Sequence, residues 1–298
     1  MRKKKLHEPV FEFIFRISSM ITIFAVVMII VFIISKGIQP FLAGNKEGTY
    51  SFIEFISGLE WRPNDDLTKA KFGIFYMIVG SLVSTLGAIL IGVPISLFAA
   101  AYLSELANIR LKKIVKSGVL LMAGIPSVIY GVFGLGFLVP WIRNISPQPQ
   151  GQSLMAAIIV LTMMILPTMI SISENAISSV PNTYRNASYA LGASKVYTTV
   201  HVIIPAAKRG ILVGIILGVG RAIGETMAVI LVCGNTIGGL PTSIFDKIRP
   251  LTTNVVLEMG YAAGIHQEML FATGSVLILF IVIVNIILNR VIKKMGEY

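Results

Sequence analysis

The chain has 298 residues, of which 55% are hydrophobic and only 13% are charged, and its mean hydropathy is +0.83. A soluble globular domain carries about 25% charged residues, so this composition indicates an integral membrane protein. The single cysteine, Cys233, excludes a disulfide within the chain, and the three histidines do not have the spacing of metal ligands. The net charge of +11 could indicate a nucleic-acid partner, and the positions of the basic residues, described below, decide against it.

Six apolar segments are long enough to cross a bilayer, which takes about 20 residues, and they predict an all-α membrane protein with six transmembrane helices. The start of the chain has the basic residues of a signal peptide, but its apolar run is long and no cleavage site follows. We therefore interpret it as a retained first span. Four prolines predict kinked or broken helices, which membrane bundles tolerate. The predicted spans lie within 17–35, 74–103, 117–142, 153–173, 210–234 and 269–289, and the prolines are Pro94, Pro126, Pro140 and Pro167.

The distribution of basic residues predicts the orientation of the chain. Sixteen of the 25 Lys and Arg residues lie in the two termini and in the second and fourth loops, and cytoplasmic segments carry such an excess. Residues 1–16 are thus predicted to form a cytoplasmic tail, and residues 17–298 a transmembrane domain whose C-terminus is also cytoplasmic. The long loop 36–71 is then external, and it is either a docking surface or a passive loop. Because topology explains the basic excess, we expect no nucleic-acid partner.

Two charged residues, Arg221 and Glu225, lie within the fifth predicted span. Positions i and i+4 share a helix face, so the two side chains are predicted to pair within one continuous helix. A charge near the bilayer centre costs about 2.5–3.5 kcal/mol, which favours a transport pathway over the alternative, a structural lock between helices. Glycines at a spacing of four in the same span predict close helix packing, and they are Gly214, Gly218, Gly220 and Gly224.

The motifs of nucleotide-binding enzymes are absent. No Gly-Lys dipeptide occurs in the sequence, so the chain has no P-loop. No nucleophile or metal-ligand set accompanies Glu225, which argues against a membrane-embedded enzyme that uses this carboxylate as an acid or base. We therefore predict a transport subunit that is not an enzyme and binds no cofactor of its own.

The predicted cytoplasmic loop 174–209 carries a pattern of small residues. Pro181 predicts the start of a short helix over 183–191, Gly192 predicts its end, and a second helical run, 195–204, is predicted to end at Pro205. The spacing resembles the coupling-loop motif of bacterial ABC importer permeases, which reads E-A-A, three residues, G, nine residues, I-x-L-P. The matching positions are Asn186, Ala187, Ser188, Gly192, Val202, Ile204 and Pro205, and Ala193 completes the predicted coupling residues.

The resemblance implies a type I ABC importer permease fold whose cytoplasmic coupling helix docks in a groove of an ATPase subunit. Three further segments, 72–82, 123–135 and 220–235, resemble the PstC-type permeases of phosphate-specific importers. That subfamily implies a second, PstA-type permease, a dimer of PstB-type ATPases that uses ATP and Mg, and an external PstS-type phosphate-binding protein. It also implies a location in the bacterial cytoplasmic (inner) membrane and transport of inorganic phosphate by alternating access.

The expected transport pathway combines this resemblance with the chemistry of the residues. A guanidinium binds phosphate oxygens in a bidentate manner, and Arg221 is the only cation within the predicted spans, so it is the expected anion partner. Glu225 is expected to neutralise it between transport cycles, with Thr226 beside it and the hydroxyls of Ser127 and Tyr130 as further donors. The alternatives are a permease for sulfate or molybdate and an ion-coupled secondary anion carrier.

Overall fold

The structure, a computed structural model, describes residues 8–42, 50–64, 66, 69–147 and 149–295. The start of the predicted N-terminal tail and parts of the predicted loop 36–71 lie outside these residues. Two short antiparallel strands, β1 (Trp61–Arg62) and β2 (Lys71–Phe72), accompany the helices. In chain order the helices are α1 (Glu8–Ile38), α2 (Phe52–Ser57), α3 (Phe75–Ala101), α4 (Ile109–Gly124), α5 (Ser127–Phe133), α6 (Val139–Ile145), α7 (Leu154–Ser178), α8 (Asn182–Ala190), α9 (Lys195–Thr198), α10 (Ile204–Gly224), α11 (Met227–Val232), α12 (Leu251–Glu258) and α13 (Gly264–Met295).

The described residues contain six helical spans that are long and apolar enough to cross a membrane, which confirms the predicted number. Helices α3, α7 and α10 pack together as the centre of the bundle, and α1 packs against α13. The spans reach into the predicted loop 174–209 from both sides and leave residues 179–194 between them. The spans are Phe11–Phe41, Phe75–Leu106, Ser127–Ile145, Leu154–Ser178, Lys195–Gly224 and Gly264–Arg290.

The glycines of α10 divide into two groups. A Cβ atom at Gly218 would come within 2.7 Å of the Met169 side chain, and one at Gly214 within 3.2 Å of Ile172, so these glycines allow α10 to pack closely on α7. A Cβ atom at Gly220 or Gly224 would meet no heavy atom within 4 Å in the described part of the chain. The packing prediction is therefore confirmed for the first pair and wrong for the second, which borders open space.

The third predicted span is broken near Pro126. The residue before a proline is disfavoured in the helical conformation, and Ile125 is accordingly extended, with ψ of 128°. Helix α4 ends at Gly124 and α5 begins at Ser127, so the observed span starts ten residues later than the predicted 117–142.

The fifth predicted span, 210–234, differs from the structure at both ends. The helix begins at Lys195 and continues past Pro205 through a π-helical turn, Thr199–Ile203, in which the Ile204 N–H donates to the Thr199 carbonyl five residues back. This wider turn keeps the helix continuous at a proline, which lacks an N–H of its own. At the other end α10 stops at Gly224, and Glu225 is extended with ψ of 130°. Both the predicted end at Pro205 and the predicted continuous helix through Glu225 are wrong.

Candidate transport pathway and coupling surface

Arg221 lies in the last turn of α10 and is partly buried. Its Nη1 donates a hydrogen bond to Thr168 Oγ1 of α7 at 3.0 Å. A guanidinium has five N–H donors, and Thr168 is its only hydrogen-bond partner among the described residues. Since Gly220 and Gly224 on either side border open space, the guanidinium has donors available for a further ligand.

Glu225 does not pair with this arginine. In the part of the chain that the structure describes, no ion pair joins them, because α10 ends at Gly224 and the two residues no longer share a helix face. Instead Glu225 Oε1 accepts the backbone N–H of Ala228 at 2.9 Å, in the first turn of α11. A carboxylate at this position stabilises a helix start. The Glu225 carbonyl also accepts from Thr252 Oγ1 at 3.2 Å, which ties the break to α12.

The helix breaks at Pro126 and at Glu225, which interrupt the third and fifth predicted spans, lie side by side. A Cβ atom at Gly131, in α5, would come within 2.8 Å of the Ala228 Cα in α11, so the two short helices are in backbone contact. Gly131 lies within about two helical turns of the break at Pro126, and Ala228 lies within about two turns of the break at Glu225. Discontinuous helices of this kind commonly form substrate sites in membrane transporters.

The other predicted pathway residues lie around the two breaks. The Tyr130 hydroxyl donates to the Met122 carbonyl at 2.8 Å and so bridges the break at Pro126. Ser127 is the first residue of α5 and is partly buried. Thr226 lies in the second break, and its hydroxyl donates to the Gly224 carbonyl at 3.4 Å. Their contact with a substrate stays a prediction.

The predicted coupling helix is present as α8, and it ends as the sequence predicts. Gly192 has φ of +79°, a left-handed conformation that favours glycine, and the Gly192 N–H donates to the Tyr189 carbonyl. Ala193 follows it, partly buried, with its N–H on the Ser188 carbonyl. The exposed residues on this segment include Asn186, Ala187, Tyr184 and Leu191, the last of which is 90% exposed.

Ser188 is the exception among the predicted coupling residues. Its side chain is buried, and its Oγ lies 2.8 Å from Thr198 Oγ1. This hydrogen bond joins α8 to α9 at the base of the fifth span, so Ser188 holds the coupling helix in place.

A second cation, Arg249, lies outside the predicted spans and is more deeply buried than Arg221. Arg249 Nη1 lies 3.0 Å from Glu258 Oε1 as an ion pair, but its N–H does not point at this oxygen as a hydrogen bond requires. The two side chains are only 7% and 6% exposed. Glu258 also accepts from Trp61 Nε1 at 2.7 Å and lies 2.8 Å from His266 Nε2. Burial raises the pKa of Glu258, but the hydrogen bonds from His266 and Trp61 and the Arg249 charge outweigh it and hold this pKa below its ordinary range.

The predicted outer loop contributes Trp61 to this network. Trp61 is fully buried, and with Phe55 and Phe72 it packs against residues of α12 and α13 in one hydrophobic cluster. Trp61 is thus part of the protein core. Local sequence patterns could not locate this network, because its four residues lie up to 205 positions apart in the chain. They are Trp61, Arg249, Glu258 and His266.

Glu174, near the C-terminal end of α7, is another buried acidic residue. It is 4% exposed and binds two lysines of α4, with Lys112 Nζ at 3.1 Å and Lys116 Nζ at 2.6 Å. Glu174 therefore fastens α4 to α7.

Comparison with known proteins places this geometry in a family. Residues 92–297 match the family described as "Binding-protein-dependent transport system inner membrane component". A probable ABC transporter permease protein of Bacillus subtilis, YqgH, is 38% identical, and the alignment covers 97% of this chain and 93% of that protein. A probable phosphate transport system permease protein PstC of Methanocaldococcus jannaschii is 31% identical over 100% of this chain and 98% of its own length.

Solved structures show the same fold. A bacterial ABC transporter involved in the import of alginate aligns with a TM-score of 0.61 at 16% identity, over 96% of this chain and 99% of its own. The inward-facing MetNI methionine ABC transporter aligns with a TM-score of 0.55 at 21% identity, over 75% and 94%. These similarities show the type I ABC importer permease fold that the coupling motif predicts. The chain therefore belongs to the binding-protein-dependent transport system inner membrane components and, within them, to the PstC-type permeases.

Proposed function

We propose that this chain is the permease subunit of an ATP-driven importer that carries inorganic phosphate across the bacterial cytoplasmic membrane, with both of its termini in the cytoplasm. The observation that carries the proposal is the Arg221 guanidinium, which lies inside a span and retains donors that no described residue occupies. Planar bidentate donation suits a phosphate oxyanion. The PstC names of the relatives support phosphate as the substrate.

Thr168 and Arg221 together form the centre of the proposed pathway. Because a single hydrogen bond to Thr168 orients the guanidinium, phosphate can bind the remaining donors without first breaking an ion pair. Glu225 acts differently from the sequence prediction, since its carboxylate caps α11 and thereby fixes the break beside Arg221. Ser127 is proposed as a hydroxyl donor beside Arg221, and Tyr130 and Thr226 are proposed to donate to phosphate once their hydroxyls leave the Met122 and Gly224 carbonyls.

The energy for transport is proposed to come from partner subunits. A dimer of PstB-type ATPases that uses ATP and Mg would contact the exposed face of α8, and a second, PstA-type permease would complete the pathway. A PstS-type binding protein would deliver phosphate from outside. The exposed Leu191 and Ala187 support this arrangement, because apolar and small side chains allow a helix to lie in a cleft.

The test is phosphate uptake by the reconstituted complex that contains an Arg221→Gln variant. We expect uptake to fall by at least tenfold, because glutamine keeps hydrogen-bonding capacity but loses the charge and the planar fork. Lys208→Gln is the matched control, since it removes one positive charge from the same helix near its cytoplasmic end. Normal uptake by an assembled Arg221→Gln complex would refute the pathway role.

The rival substrates are sulfate and molybdate, and the same vesicles distinguish them. We expect a tenfold excess of unlabelled phosphate to suppress labelled phosphate uptake and an equal excess of sulfate or molybdate to leave it unchanged. ATP-dependent uptake that persists when proton and sodium gradients are collapsed would exclude an ion-coupled carrier.

A further inference from the structure

An ion pair at the cytoplasmic end of the bundle links the coupling helix to two transmembrane spans. Arg185 of α8 binds Glu105 through two nitrogens, with Nε 3.2 Å and 3.1 Å from the two carboxylate oxygens and Nη2 2.5 Å from Oε1. Glu105 ends the second span in a π-helical turn, Tyr102–Leu106, eighty residues earlier in the chain. The two side chains are only 14% and 6% exposed.

The same guanidinium also holds the end of the fourth span. Arg185 Nη1 donates to the Val180 carbonyl at 2.6 Å, and Nη2 donates to the Ile177 carbonyl at 3.1 Å. Carbonyls at a helix C-terminus have no partner within the helix, so a cation there is favourable. One arginine on α8 thus fixes the ends of both α3 and α7.

The attachment of α8 to the fifth span is separate. It consists of the Ser188–Thr198 hydrogen bond and the packing of α8 on α9 and the following π-helical turn. Apart from the backbone segment 179–181 that joins it to α7, the coupling helix therefore has two sets of contacts, one with the fifth span and one, through Arg185, with the second and fourth spans.

The second set of contacts leads toward the proposed pathway. Thr168, the partner of Arg221, lies nine residues before Ile177 on α7, about 14 Å along the helix axis at 1.5 Å per residue. The helix has no proline between these residues, since Pro167 precedes Thr168. A displacement of the α7 end is then transmitted along an uninterrupted helix to the residue that orients Arg221.

We propose that Arg185 and Glu105 form a clamp through which movement of α8 is conveyed to the second and fourth spans, and that both are positioning residues for transport. The inference rests on the proposed function, because it assigns these residues to the coupling of ATP hydrolysis with import. Without the clamp, α8 still docks through its exposed face, but it loses its link to the second span, and only the short backbone segment 179–181 still joins it to the fourth span.

The clamp predicts uncoupling rather than loss of ATP hydrolysis. We expect the Glu105→Gln/Arg185→Gln double variant to keep ATPase activity within twofold of the unaltered complex and to lose at least fivefold in phosphate taken up per ATP hydrolysed. Arg185→Gln alone should match the double variant, because it removes both links, whereas Glu105→Gln keeps the Arg185 hydrogen bonds to the Val180 and Ile177 carbonyls and should lose less. Glu12→Gln is the control, since it breaks an exposed Glu12–Arg16 pair within α1.

The outcomes separate this inference from the proposed function. Absence of phosphate uptake in the unaltered and Glu12→Gln complexes would contradict the proposed function. An unchanged ratio of uptake to ATP hydrolysis in the double variant would overturn the clamp. Failure of the double variant to assemble with the ATPase would overturn it as well, because Arg185 and Glu105 would then serve docking or folding instead of coupling.

Discussion

Replacing Glu258 by glutamine should strongly destabilise the region in which α12 packs against Trp61 and His266. The Arg249 and Glu258 side chains are 7% and 6% exposed, so the substitution leaves a buried guanidinium without its counter-charge. Removing one partner of a buried ion pair costs about 3–5 kcal/mol. The hydrogen bonds from Trp61 and His266 to the same carboxylate are also weakened, which places the expected loss within this range rather than below it. A loss of 3 kcal/mol raises the unfolding constant by roughly a hundredfold.

The measurement is equilibrium unfolding in detergent micelles, followed by tryptophan fluorescence. Trp61 is a direct reporter, because its indole N–H donates to the Glu258 carboxylate. The matched control is Glu60→Gln, which removes the exposed ion pair with Lys71 next to Trp61 and should leave stability unchanged. Equal stability of the Glu258→Gln and Glu60→Gln variants would refute the conclusion that buried charge pairing holds this region together.

Three further predictions follow from single contacts. Thr168→Val removes the hydrogen bond that orients Arg221, and we expect phosphate uptake in vesicles to fall severalfold, less than in Arg221→Gln; an unchanged rate would contradict that role. Gly192→Ala should cost about 1–2 kcal/mol of stability from its left-handed backbone alone, since a Cβ there meets nothing, and Gly192→Asn should cost less in the same unfolding assay. The folded-state pKa of Glu258 lies below its ordinary 4.5, so the ionised carboxylate stabilises the folded protein above pH 4.5, and this stabilisation is lost as the pH falls through the folded-state pKa. The difference in unfolding free energy between the unaltered protein and Glu258→Gln should therefore narrow below about pH 4.5.

Properties that depend on neighbouring residues were predictable. The six spans follow from apolar runs, and the coupling helix follows from Pro181 and Gly192, because each is a local property of consecutive residues. The spacing of small residues in 186–205 pointed to the importer permeases for the same reason. Arg221 could be singled out because a cation within an apolar run is expensive wherever the chain folds.

The pairing of Arg221 could not be predicted in this way. The i and i+4 rule assumes a continuous helix, and the apolar run around Glu225 gives no sign that the helix ends at Gly224. The break is stabilised by contacts from elsewhere, among them the Thr252 hydroxyl on the Glu225 carbonyl. An apolar run indicates that a segment lies in lipid or in the protein core, but it does not show whether its helix is continuous.

The sequence by itself determined that this chain is a six-span permease with a coupling helix and one costly arginine in its fifth span. Only the tertiary structure decided what that arginine binds, and which residues fasten the bundle. Thr168 lies 53 residues from Arg221, and Glu105 lies 80 residues from Arg185. Such partners cannot be identified from sequence separation. Charged groups within a bundle pair with the groups that the packed helices bring within hydrogen-bonding distance.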